Sequence, residues 1–292
     1  MPDRRAMTVA AFQLCLDLGG DTSGTTGASL DPDPALDPLG RAKADGAELL
    51  VLPLLPDVGP PEEFSRRWSE SARKIGVFLA VGRMAGGGVN QNVGYLFGPD
   101  GSLPLKQAQT HLTKSELEAG IVAGTDLDLA ELPCGRVGFA VGTDCWYPEV
   151  SRILALRGAD VILAPVAVSG PYGFWRQAAG LWEEVQQNQV FGIEAGLELP
   201  GRFEGRTAVM APVEVTPGET GYLAHVLGPA ELMDEGHATS RSEPTGAAAF
   251  VTARIDPAML ERARKGFPIF HFFNVPLYRR WFPGIYEGGT RR

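Results

Sequence analysis

At 292 residues with 44% apolar side chains, the chain can bury a sizeable core, as one large domain or two. Charged residues make up 21% with both signs interspersed, and the net charge is −9, which argues against nucleic acid or an anionic membrane surface as the main partner. No apolar run approaches the roughly 20 residues of a membrane helix, and the short, charged Met1–Met7 start offers no signal-peptide stretch.

In chain order, Met7–Leu14 alternates apolar residues as a strand does, and Gly19–Pro38, dense in Gly, Asp, Thr and Pro, is a loop. A short helix follows at Ala35–Ala44 and stops at Gly46; Glu48–Leu52 is a buried strand closed by Pro53. Pro60–Pro61 opens a helix whose apolar face carries Phe64, Trp68, Ala72 and Ile75. Val77–Val81 is a strand and Gly86–Gly88 a turn; Asn92–Phe97 and Leu103–Leu105 flank the hairpin turn Gly98–Gly101. The second half repeats the logic, with strands at Arg136–Val141, Asp160–Ala164, Thr207–Ala211 and Ala247–Ile255. Helices are expected at Glu149–Arg157, Trp175–Gln189 and Pro257–Lys265, an irregular excursion at Pro212–Gly246, and an extended tail at the end. Strands alternating with helices, together with hairpins, imply a layered α/β domain over residues 7–282, with 283–292 as a tail. Three cysteines (Cys15, Cys134, Cys145) are too scattered for a disulfide framework, and His111, His225, His237 and His271 lack zinc-site spacing. The expectation is a cytoplasmic protein with no metal and no cofactor.

Five stretches, in order and at fitting spacing, resemble the nitrilase (carbon–nitrogen hydrolase) superfamily: Ala10–Gln13, Asp45–Pro53, Asn92–Leu112 with its Gly-Pro-Asp-Gly turn, Arg136–Pro165, and Ala253–Arg264. The resemblance implies an α-β-β-α sandwich with two central mixed sheets flanked by helices. It also implies subunits that pair through their helical layers, so a homo-oligomer is expected. Members of this family use a Glu–Lys–Cys triad, in which a cysteine thiolate attacks a nitrile or amide carbon.

Carried onto this sequence, the Glu position after Pro53 holds Leu54. The Lys position two before His111 holds Gln109, and the Cys position four after Gly138 and six before Pro148 holds Gly142. On this placement the triad is absent. The substitutions are consistent with one another, since a buried Lys without its Glu would cost roughly 3–5 kcal/mol. Cys145 lies three residues on, where it reads as a buried thiol rather than a nucleophile. The main expectation is therefore a non-catalytic nitrilase-fold protein that binds a small molecule or serves as an oligomeric scaffold. The alternative is an amidase-like hydrolase of a non-peptide amide, nitrile or carbamoyl compound using relocated groups such as Cys145, Glu116 and Lys114. Glu118, Lys106, Asp144 and Glu149 are expected in solvated or capping roles, His111 in a structural one. Asn188 resembles a family helix position whose neighbouring Arg is missing. The aromatic groups Phe174, Trp175 and Trp182, and Phe270, Phe272, Phe273 and Trp281, are expected in the core or at a subunit interface.

Overall fold

The computed structural model describes residues 4–16, 32–57, 59–226 and 248–287. Most of the expected Gly19–Pro38 loop, the later part of the Pro212–Gly246 excursion with His237, and Arg291 and Arg292 lie outside the described residues.

Period-2 alternation builds the first sheet. In β1 (Met7–Cys15), Val9 and Ala11 face one way while Ala10 and Phe12 face the other, and β2 (Leu49–Leu55) repeats this with Leu49 and Val51 against Leu50 and Leu52. β3 (Phe78–Arg83) continues in parallel, and β4 (Val93–Phe97) and β5 (Leu105–Ala108) turn back antiparallel. β12 (Ala248–Ile255) closes the other side of β1. The second sheet comprises β6 (Ala130–Leu132), β7 (Gly135–Phe139), β8 (Val161–Val166), β9 (Phe191–Glu198), β10 (Thr207–Met210) and β11 (Tyr222–Val226). A two-residue parallel pairing, Leu14 with Leu197 and Cys15 with Glu198, joins the two into one continuous sheet of twelve strands.

Three apolar layers follow from that alternation. Val9, Val51, Phe139, Leu163 and Ile193 meet between the sheets. Phe12, Leu50 and Leu52 pack under α1 (Pro32–Ala44) and α2 (Pro61–Ile75), which supply Leu39, Ala42, Phe64, Trp68 and Ala72. On the opposite outer face, Ile162 and Ala164 pack under Val150 and Leu154 of α4 (Pro148–Leu156) and under Val185. The result is the expected α-β-β-α sandwich. The sheets approach closely where Gly94 lies against the Phe139 ring; a Cβ there would sit 2.9 Å from it.

Several expectations need correction. Pro53 does not close the second strand, because the β2–β3 register shifts between Val51 and Leu54 and the strand runs on to Leu55. Proline has no N–H to give a ladder, and such an irregularity accommodates it. The helix expected over Trp175–Gln189 is broken into α5 (Phe174–Gln177), a wide turn and α6 (Glu183–Asn188), with Gly180 at φ −113° and ψ −125°. The extended tail is instead α8 (Val275–Glu287), which follows α7 (Pro257–Gly266) after a short 3-10 turn. β9 and β6 are additional strands, and β11 lies inside the expected excursion. No described helix is long and apolar enough to cross a membrane.

Candidate functional site

A cavity of about 510 Å³ opens at one end of the sandwich, a size suited to a small ligand. Its floor and walls come from the ends of several strands. The register shift in β2 delivers Leu54, β4 is preceded by Asn92, and the turn after β7 delivers Gly142 and Thr143. α3 (Lys114–Glu118), set by a Thr113–Glu116 capping box, delivers Glu116. The loops after β8 and β9 add Val168, Ser169, Arg202 and Phe203, and Trp146 and Arg176 complete that wall.

Leu54 and Gly142 thus share one cavity, and Gln109 lies just behind the wall, 1% exposed. Gly142 has φ +58°, and a Cβ built on it would stand 2.9 Å from Gln109 Oε1. The Gln109 side chain therefore occupies the space that a side chain at 142 would need. Its amide is fully engaged: Oε1 accepts from Asn92 Nδ2 (2.7 Å), and Nε2 donates to His111 O (2.7 Å), Thr143 Oγ1 (2.7 Å) and, more weakly, Glu116 Oε2 (3.3 Å). Glu116 also accepts from Asn92 Nδ2 (2.7 Å), Thr113 N (2.7 Å) and Thr113 Oγ1 (2.8 Å).

The proposed relocated groups are not brought together. Of these, only Glu116 lines the cavity. Lys114 points to solvent and pairs loosely with Glu118 at 3.7 Å. Cys145 is fully buried in the outer core, its Sγ donating to Gly142 O at 3.2 Å, and burial pushes its thiol well above the ordinary range. Burial likewise pushes Cys134 up to about 12.

Asp144 is buried rather than solvated. It clamps the strand-to-turn junction by accepting from Thr110 N, Thr110 Oγ1, His111 N and Val141 N. His111 bonds Thr110 Oγ1 through Nδ1 (2.9 Å) and stacks on Tyr147, a structural role. Lys106 is exposed over the Tyr95 ring, and Glu149 accepts from the Tyr286 hydroxyl. Asn188 is buried and donates back to Glu184 O at 2.8 Å. Trp175 is 82% exposed, so it is no part of the core. Among the described residues no three His, Cys, Asp or Glu side chains cluster as metal ligands would.

Sequence reasoning missed Thr143, Trp146, Arg176 and Arg202, which loops bring to the cavity without a repeating pattern. It also missed a buried polar group behind Trp146. Glu194, in the middle of β9, accepts from Tyr172 Oη and from Gln177 Nε2 (3.2 Å), with Arg206 as the nearby cation. Desolvation dominates there and raises the Glu194 carboxyl to about 7, against the hydrogen bonds from Tyr172 and Gln177 that lower it.

Comparisons with known proteins agree with this fold. Residues 36–195 match the family model described as carbon-nitrogen hydrolase. A nitrilase of Pyrococcus abyssi is 29% identical over 195 residues, 59% of this chain and 71% of that protein. A probable hydrolase of Bacillus subtilis is 30% identical over 106 residues, 36% of this chain but 20% of that protein's length. An amidase from Nesterenkonia sp. AN1, solved with the acetamide moiety of fluoroacetamide covalently added at its active-site cysteine, superposes with a TM-score of 0.69 at 18% identity. That superposition covers 94% of this chain and 96% of the amidase.

Two predictions follow from the geometry. Gly142→Cys should destabilise the fold by roughly 1–3 kcal/mol, because it forces a side chain into positive φ and onto Gln109. Urea melts check this, and a variant as stable as the parent would show that Gln109 does not fill the elbow. The second concerns pH. Because folding raises the Glu194 carboxyl from 4.5 to about 7, the folded state holds the extra proton. The resulting stability is complete below about 4.5 and is lost as pH rises through 7. Glu194→Gln, which stays neutral, should therefore gain in melting temperature relative to the parent between pH 5 and pH 8. A gap that stays constant with pH would refute the assignment.

Proposed function

The chain belongs to the carbon–nitrogen hydrolase family, and we propose that its cleft receives a small amide-type molecule on which no cysteine thiolate acts. One observation carries this reading: the elbow position is Gly142, and the neutral Gln109 amide fills the room beside it. Attack on an amide carbon through sulfur needs an exposed thiolate. Cys145, the thiol nearest the cleft in sequence, is buried with its sulfur turned to the Gly142 carbonyl. The ligand class is suggested by the relatives, and by Asn92, Thr143 and Glu116, hydrogen-bonding groups suited to an amide among mostly apolar walls. In this form the protein would bind, and its oligomer could serve as a scaffold.

A second reading, hydrolysis of a non-peptide amide, nitrile or carbamoyl compound, draws support from the company the chain keeps. The relatives carry the names nitrilase and omega-amidase, which favours C–N bond chemistry over a binding-only protein. Within the cleft Glu116 is the one carboxylate on the wall, oriented by three donor groups, and it could take a proton from an attacking water.

An ammonia-release screen across primary amides, nitriles and N-carbamoyl compounds, run on the parent, Cys145→Ala and Glu116→Gln, separates the readings. The expected result is that Cys145→Ala matches the parent on every compound, while amides shift the thermal melt. Turnover abolished by Cys145→Ala would overturn the proposal and favour a relocated thiol. Turnover kept by Cys145→Ala but lost in Glu116→Gln would establish hydrolysis without sulfur.

We also propose a homo-oligomer. α8 exposes Trp281, Phe282, Ile285 and Tyr286, α4 exposes Ile153 and Leu156, and the Tyr286–Glu149 hydrogen bond links the two helices. Apolar patches of this kind are covered in soluble proteins. Sedimentation at micromolar concentration should give a particle of at least twice the 31.2 kDa chain mass, and a monomer would refute it.

A further inference from the structure

We propose that a second, smaller groove, at the β5 edge of the sandwich, binds a small organic ammonium ion through Gln107 Oε1, Asp126 and Asp128. None of the residues lining this groove lines the cleft.

The groove holds about 250 Å³ and lies between β5 and the segment 123–128 that leads into β6. Its walls are fixed by the fold. Val122 N donates to Asn90 O (2.7 Å) and Gly124 N to Gln109 O (2.7 Å), which bonds the segment to the chain flanking β4 and β5. Gly124 comes so near β5 that a Cβ on it would stand 2.8 Å from Ala108 Cβ. Further along, Arg157 Nη1 donates to Leu127 O at 2.6 Å.

The polar groups of the groove are acceptors with little to accept from. Gln107 is 3% exposed, and its Nε2 is committed to Phe139 O at 2.6 Å. That bond fixes how the amide is turned, because a carbonyl accepts only from the nitrogen end. The oxygen end is what Gln107 has left to offer, and among the described residues nothing donates to Oε1. Buried amide oxygens are ordinarily satisfied. Asp126 receives the Thr125 hydroxyl at 3.3 Å and forms no ion pair among the described residues. Asp128 has one long, exposed contact with Arg157 at 3.4 Å. Lys106 also borders the groove, but it alternates with Gln107 along β5 and its ammonium lies 5.5 Å from the Tyr95 ring.

A buried neutral oxygen beside two carboxylates suits a ligand that carries both positive charge and N–H donors. An alkylammonium ion brings three donors and one charge, as a lysine side chain does. A hard divalent cation fits less well. Calcium takes about six to eight oxygen ligands, and among the described residues no three Asp, Glu, His or Cys side chains cluster.

Ligand-observed NMR titrations of the full chain with methylammonium and with tetramethylammonium, at constant ionic strength, test the idea. The two ions have the same charge, but only the first has N–H groups to donate. Methylammonium should bind at least about tenfold tighter. The Asp126→Asn, Asp128→Asn double variant changes exposed side chains and should lose that advantage. Gln107→Met should lose it too, and if removing the bond to Phe139 prevents folding, the aspartate variant decides alone. Equal binding of the two ions by the parent overturns the proposal. So does a preference that survives the aspartate substitutions, since the ammonium then sits elsewhere. Calcium that displaces methylammonium at a lower concentration than methylammonium itself requires overturns the choice of ligand.

Discussion

The Gln109 carboxamide organises the cleft. It is 1% exposed and joins four separate pieces of chain: Asn92 before β4, His111 in the loop after β5, Thr143 in the elbow, and Glu116 on α3. A buried amide must find partners for both its oxygen and its nitrogen or cost about 1–3 kcal/mol for each group left unmet. Here both ends are met, and satisfying them fixes where Glu116 and Thr143 can stand. An ammonium in the same place would have Glu116 as the one carboxylate of the cavity wall beside it, because Leu54 presents only carbon. The neutral site is thus self-consistent: an apolar residue at 54, an amide at 109 and no side chain at 142.

That arrangement depends on the sandwich above it. Gln107, two residues earlier on β5, donates to Phe139 O at 2.6 Å, so the edge of the first sheet is bonded to the end of β7 in the second. β7 then runs directly into the turn bearing Gly142, and Asp144 fastens that turn to Thr110 and His111. The close approach at Gly94 sets how near the two sheets come at this point. Sheet packing and site geometry are one constraint: a shift of β5 against β7 would move Gln109 and Gly142 relative to each other.

Much of the fold was legible because its strands announce themselves by period-2 alternation or continuous apolar runs, as β1, β2 and β8 do. β9 was not, although it is a central strand. Gly192, Gly196 and Glu194 interrupt its pattern, and a carboxyl in a strand interior ordinarily argues against burial. Only the Tyr172, Gln177 and Arg206 partners, scattered over the chain, make Glu194 tolerable there. α8 was hidden by Pro276 and Pro283, which read as an extended tail. The helix from Trp175 was periodic enough to read but not to show its break. Gly180 packs against the Trp146 indole, where a Cβ would come within 2.8 Å of Nε1, a tertiary demand that overrides local helix preference. At the site, motif spacing brought out positions 54, 109 and 142, of which 54 and 142 line the cleft and 109 lies just behind its wall. Loop residues such as Thr143 and Arg202 carry no spacing rule and emerge only from the fold.

The distribution of charge around the cleft separates what holds the structure from what faces a ligand. Asp57 is buried and answered by Arg67 and Arg83, and Asp160 by Arg4 and Arg264, so these carboxylates are spent on the scaffold. Glu194 avoids the cost of a buried charge by holding its proton into the neutral range. Arg176 and Arg202 follow neither pattern, since each is braced by neutral or aromatic groups and left charged at the cavity wall.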